Sequence, residues 1–175
     1  MTKWKLDDNH KSLEFVVKHM MISKVKGNFK NFEAEIEGDP EDLTSGKVQF
    51  TVDTSSINTN NDDRDNHLRS ADFFDVENYP HMTFQSTSIE KTGENEYDVT
   101  GNLTIRGTTK QETFKVTYEG SMTGPDGSQV IAFSAEGKVN RKDYGLTWNV
   151  ALEAGGVLVG EEIKFNLETE AVKVD

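Results

Sequence analysis

Tyr97-Asp98-Val99-Thr100-Gly101-Asn102-Leu103-Thr104-Ile105-Arg106 is the stretch that decides the fold. Tyr97, Val99, Gly101, Leu103 and Ile105 alternate with Asp98, Thr100, Asn102, Thr104 and Arg106. An extended backbone puts the first set on a buried face and the second in water, whereas a helix would scatter both around its circumference. The pattern recurs on either side. Downstream it returns at Phe114, Val116 and Tyr118, at Ile131, Phe133, Ala135, Gly137 and Val139, and at Ile163, Phe165 and Leu167. Upstream it runs through Met82, Phe84 and Ser86, through Val48, Phe50 and Val52, through Phe32, Ala34 and Ile36, and through Leu13, Phe15, Val17 and His19. With Trp4 and Leu6 this makes about eight or nine strands, each apolar on one face, as antiparallel sheets require.

Turn chemistry separates the strands at Gly38-Asp39-Pro40, Thr92-Gly93-Glu94-Asn95 and Gly124-Pro125-Asp126-Gly127. The last of these predicts a long antiparallel hairpin between Phe114–Tyr118 and Ile131–Val139. Residues 59–78 lack period two and predict a helical insertion near residues 60–75, capped by Thr59 or Asn60, with Asp62 and Asp63 in its first turn. A shorter piece around His19–Lys26, ending at Gly27, also reads as helical. No linker or repeat divides the chain, so residues 1–175 read as one domain.

A one-face-apolar set of this size has to cover that face. Closing the sheet on itself does so and removes the exposed edges. The expected fold is all-β, an extended antiparallel barrel of about eight strands, wide enough to be filled by side chains or to hold one small ligand. Gly101, Ala135, Gly137, Ser86 and Ala34 interrupt the inward set. They either leave space inside or relieve crowding at bends.

The charge balance is 19 basic against 31 acidic residues, net −12. A field of that sign disfavours sequence-independent nucleic-acid binding. With no cysteine there is no disulfide framework, thiolate metal site or cysteine nucleophile. The longest apolar run, Val130-Ile131-Ala132-Phe133, is far short of the roughly 20 residues of a transmembrane helix. The opening Met-Thr-Lys-Trp-Lys-Leu-Asp-Asp lacks an apolar signal core, which points to the cytoplasm.

Catalytic motifs are absent. His10, His19, His67 and His81 have no metal-ligand spacing, and no nucleophile elbow or phosphate loop is present. No metal, no cofactor and no catalytic residue is therefore expected. One basic cluster, Arg64-Asp65-Asn66-His67-Leu68-Arg69, stands out in an acidic chain. It fits a polar collar at a barrel mouth that holds a phosphate or carbonyl headgroup, or a helix stapled to its own barrel. Asn140-Arg141-Lys142-Asp143-Tyr144-Gly145-Leu146-Thr147-Trp148 fits a barrel rim or an ordinary turn.

Several of these segments together resemble the YceI-like family of polyisoprenoid-binding, lipocalin-like barrels. Trp4-Lys5-Leu6-Asp7 with His10 looks like its opening strand. Phe15, His19, Val25, Gly27, Phe29 and Phe32 match its spacing in the next segment. Thr59, Arg64-Asp65, His67-Leu68, Asp72-Phe73-Phe74 and Tyr79-Pro80 form the most specific block. Gly101, Leu103-Thr104-Ile105, Gly107 and Thr109, followed by Arg141, Asp143 and Tyr144-Gly145-Leu146, complete a match over residues 4–170. Lys11 and Tyr144 depart from its common residues. The resemblance implies a long apolar tunnel and tips the small inward residues toward a cavity.

It further implies a binding protein, not an enzyme, for a long isoprenoid lipid such as a polyprenyl quinone or polyprenyl phosphate, serving transport, storage or sequestration. Phe15, Val17, His19, Phe50, Phe84, Leu103, Phe133 and Trp148 are the expected tunnel residues. Arg64, His67, Arg69 and Arg141 are the expected headgroup residues. The alternatives are an enzyme acting on an isoprenoid or other amphiphile, with His19 or His67 as acid/base, and a filled barrel acting as a protein-interaction module. Monomer and homodimer are both left open.

Overall fold

The computed structural model describes residues 1–153 and 155–174. Its strands are β1 (Lys3–His19), β2 (Ser23–Phe29), β3 (Phe32–Asp39), β4 (Asp42–Asp53), β5 (Ile57–Asn58), β6 (His81–Gly93), β7 (Glu96–Ile105), β8 (Thr108–Thr123), β9 (Gln129–Asn140) and β10 (Val159–Val174). One α-helix, α1 (Asp62–Arg69), lies between β5 and β6 among the described residues. Neighbours run β1-β3-β4-β6-β7-β8-β9-β10, and β10 returns to β1, so eight antiparallel strands close a barrel. The closed antiparallel barrel of about eight strands expected from the alternation is the observed one.

β1 serves two sheets at once. Its first residues pair with β3, as in Trp4 opposite Ile36, and its last six pair with β2, as in Phe15 opposite Gly27. β10 runs beside both halves. The register breaks between Leu6 and Lys11, where Glu170 alone stands between the partners Ala171 and Thr169. The extra residues form a bulge that shifts the inward set from Trp4 and Leu6 to Leu13 and Phe15. The two apolar patches that read as separate strands are therefore one bent strand.

The barrel has two unlike ends. The turns β3–β4, β6–β7 and β8–β9 lie at one. The other holds the β1–β2 turn, the α1 segment, the β7–β8 turn and the long β9–β10 connection. This second end is solidly filled. The Phe15 ring packs on Phe29 at 5.5 Å between centroids and Phe29 meets Phe74 edge-on at 5.9 Å. Ile57, Ile105, Val139, Tyr144 and Leu146 are buried around them.

Local chemistry explains α1. Asn61, not Thr59 or Asn60, caps it, its side chain accepting from the Arg64 N–H at 3.0 Å. Thr59 is turned inward instead, and its N–H and hydroxyl both donate to buried Asp65, at 2.9 and 2.5 Å. Residues 19–26 are not helical. They form a hairpin turn followed by β2, where Lys24 and Lys26 are exposed on either side of half-buried Val25, the alternation of a strand.

Candidate functional site

The open half of the barrel contains an apolar cavity of ≈ 170 Å³. Every barrel strand contributes to it: Trp4 and Leu13 from β1, Ile36 from β3, Phe50 from β4, Phe84 from β6, Leu103 from β7, Phe114 from β8, Phe133 from β9 and Phe165 from β10. Gly38, Leu43 and Gly46 of the β3–β4 hairpin border it toward the turn end. Glu37 and Glu136 are the only ionisable residues in the lining besides the Tyr97 phenol, among the described residues. The floor is the aromatic plug above α1.

The small inward residues are not all spaces. A β carbon on Gly101 would collide with the Phe84 ring and the Gln85 carbonyl, and one on Gly137 with the Phe114 ring. These glycines are seats on which rings lie, and the two rings meet edge-on at 5.3 Å between centroids. Gly27 seats Phe15 in the same way. Ala135 does line the cavity, while Ser86 is used by the backbone, its hydroxyl oxygen accepting from the Val48 N–H at 2.9 Å.

Of the expected tunnel residues, Phe50, Phe84, Leu103 and Phe133 line the cavity. Phe133 stacks at a tilt on Tyr118, 5.6 Å between centroids. Phe15 is buried below, among the plug aromatics. Val17 and His19 lie further along β1, opposite Ile163 and Val159, past the end of the cavity. Trp148 packs on His67 at 4.5 Å and on Phe73 at 5.4 Å.

Arg64, His67, Arg69 and Arg141 stand at the closed end rather than at the cavity mouth. Alternation fixes which face a side chain takes but not which end of the barrel a loop occupies. Arg64 donates to the hydroxyl and carbonyl of Thr59, at 2.8 and 2.7 Å. Arg69 donates to the carbonyls of Ser55 and Ile57, at 2.9 and 3.1 Å. His67 Nε2 lies 2.9 Å from Asp72 Oδ2.

Arg141, 2% exposed, donates to four carbonyls: Leu146 at 2.6 Å, Gly160 at 2.7 Å, Trp148 at 3.0 Å and Val159 at 3.2 Å. Burial lowers its guanidinium pKa. These contacts tie the β9–β10 connection to the barrel. Above it, the buried Tyr144 hydroxyl donates to Glu112 Oε1 at 2.8 Å, and burial together with that carboxylate raises the phenol pKa.

Sequence spacing also missed two clusters. Lys11 holds its ammonium over the Phe32 ring at 4.8 Å, donates to the Phe32 carbonyl and pairs with Asp8 at 2.9 Å. The β1 bulge brings His10 Nδ1 within 3.0 Å of Asp7 Oδ2 and 3.4 Å of Glu170 Oε2. The two carboxylates raise the His10 pKa, the Asp7 hydrogen bond most. Nothing in the β1 sequence names Glu170 as the partner, because the register break supplies it.

Residues 4–171 match the YceI-like domain. The chain belongs to the YceI-like family. A UPF0312 protein of Staphylococcus epidermidis is 47% identical over 171 residues, covering 97% of each chain. BcnA of Burkholderia cenocepacia superposes with a TM-score of 0.81 at 26% identity, over 94% of this chain and 98% of that one. A polyisoprenoid binding domain from Saccharophagus degradans, implicated in plant cell wall breakdown, superposes with a TM-score of 0.74 at 17% identity, over 98% of each. At that identity it shares the YceI-like fold alone.

Proposed function

We propose that this protein binds an isoprenoid chain in the open half of its barrel and carries or stores it, without catalysing a reaction on it. The observation that carries this reading is the cavity itself, apolar on every strand and bounded below by an aromatic plug. The description of the Saccharophagus domain as polyisoprenoid-binding supports the same ligand class. Burying prenyl surface contributes about 25 cal/mol per Å² and asks of the site only shape and apolar lining.

A cavity of ≈ 170 Å³ is a small one. Voids of about 150 Å³ hold a single benzene. A longer chain therefore seats its end beside Phe84 and Leu103 and pushes Phe133 and Tyr118 aside as it leaves through the turn end. The turns there carry Asp39, Glu41, Asp42, Glu94, Glu96 and Asp126. A headgroup emerging among six carboxylates is better uncharged than anionic, which favours a prenyl quinone over a prenyl phosphate. The binding reading also suits the lining, which offers no histidine or lysine for acid–base work among the described residues.

The test is to titrate the protein with a prenyl alcohol, a prenyl quinone and a prenyl phosphate of equal tail length. The alcohol and quinone are expected to bind, and the phosphate at least roughly tenfold more weakly. Phe133→Ala and Phe84→Trp are expected to change all three affinities. No saturable binding of any of them, or binding unchanged by both substitutions, overturns the reading.

A further inference from the structure

The β1–β2 turn exposes an apolar tip that the cargo reading does not use. Ile22 is 90% exposed, Met21 57% and Met20 45%. The neighbouring connection adds Val150, 45% exposed, and is bound to the tip: the Met20 N–H donates to the Leu158 carbonyl at 2.7 Å, and the Leu158 N–H to the Val150 carbonyl at 2.9 Å. The hairpin arms carry Lys18, Lys24 and Lys26, all three exposed. None of the three pairs with a carboxylate among the described residues, whereas nearby Lys142 holds Glu161 at 2.7 Å.

The backbone supplies a second observation. Met20 and Met21 hold φ of 53° and 66°, in the left-handed region that asparagine and glycine take readily. The turn thus keeps two large apolar side chains at its apex in a conformation that disfavours them. Solubility alone gives no reason for such a choice.

We propose that this tip is a docking finger for an anionic lipid bilayer. Its convex shape suits insertion between headgroups, with Met20, Met21 and Ile22 at acyl-chain depth and the lysines at phosphate level. The rest of the molecule reinforces the orientation. In a chain of net charge −12, with acidic turns at the opposite end, the local set of Lys18, Lys24 and Lys26 beside the apolar residues favours a tip-first approach to an anionic surface. So docked, the barrel stands with its cavity mouth away from the membrane. The finger and the cavity are at opposite ends, so vesicle binding and cargo binding fail or succeed separately.

The experiment is cosedimentation with vesicles of phosphatidylcholine alone, and of phosphatidylcholine containing about 30% phosphatidylglycerol, the negative surface that lysines read. The protein is expected to bind the second and not the first, and to be released by salt. Met21→Ser with Ile22→Ser, and separately Lys24→Glu with Lys26→Glu, are each expected to weaken binding by roughly tenfold or more. Melting curves identify the folded variants, and Ile22→Ser alone, at a site so exposed, provides a minimal second variant. Equal binding by wild type and all variants overturns the proposal, as does no binding to either vesicle. A dimer in sedimentation equilibrium that Ile22→Ser dissociates also overturns it, by assigning the tip to a second copy.

Discussion

The ring of Phe114 on β8 lies against the bare α carbon of Gly137 on β9, in the space a side chain there would take. Phe84 uses Gly101 in the same way, and the two rings meet edge-on in the wall of the cavity. Gly137→Ala is expected to destabilise the protein by about 1–3 kcal/mol, the usual cost of overpacking a fitted core. Gly137→Ala with Phe114→Leu is expected to recover part of that loss, because the shorter side chain vacates the seat. Urea melts of the single and double variants measure both. Two additive losses would show that the ring and the glycine do not interact.

The arginines at the closed end are expected to act on stability. Arg141→Ala removes the donor from four carbonyls and should cost about 3 kcal/mol or more, since each orphaned buried group costs ~1–3 kcal/mol and part of this is recovered by water. Arg69→Ala, with two carbonyl partners, should cost about 1–2 kcal/mol. Neither change should alter the ratio of prenyl phosphate to prenyl alcohol affinity. A selective loss of phosphate binding, with melting temperature unchanged, would place an anion site there instead.

His10 sets a modest pH dependence. Its pKa is raised above 6.5 by Asp7 and Glu170, so the folded state binds the proton more tightly than the unfolded chain. That stability is complete below pH 6.5 and is lost as pH rises through the folded value. The melting temperature should step down slightly on that rise. The step should disappear in His10→Asn, where no proton is exchanged. A step that persists in the variant assigns the effect to another group.

Met20→Asn with Met21→Gly replaces a disfavoured turn by the pair that hairpins prefer. Relief of two positive-φ residues is expected to stabilise the fold by about 1–2 kcal/mol. The same variant should lose vesicle binding. A fall in melting temperature would mean that Met21, which packs beside Gly156, contributes more through that contact than its backbone strain costs.

Leu103 and Ile105 show what was legible in the chain. Their alternation with Asn102 and Thr104 is enough to name the buried face, and the same holds for Phe50, Phe84 and Phe133 in the cavity wall. Ends are harder to read than faces. Arg64 and Arg141 look like mouth residues because strand patterning says nothing about which rim a loop adorns. Asp65 looks like one more surface acid, yet it is 4% exposed and held by Thr59. The bend in β1 is hidden for a third reason: its extra residues are defined only against β10, a strand at the far end of the sequence.

That same pairing governs how the molecule can be assembled. Lys3 sits opposite Val174, so one edge of β1 stays unpaired until β10, the last barrel strand in chain order, is in place. Until β10 arrives, β1 and β9 present raw edges to every other nascent chain in the cell, and the seam between them joins residues of the greatest sequence separation. Such closure is slow, because the loop to be closed runs from Lys3 to Val174. The seam is also where the molecule is most easily rewired. Joining Lys3 to Val174 by a short linker and opening the chain at the exposed β8–β9 turn would convert β1 and β10 into a local hairpin, giving a barrel of the same shape that reaches it sooner.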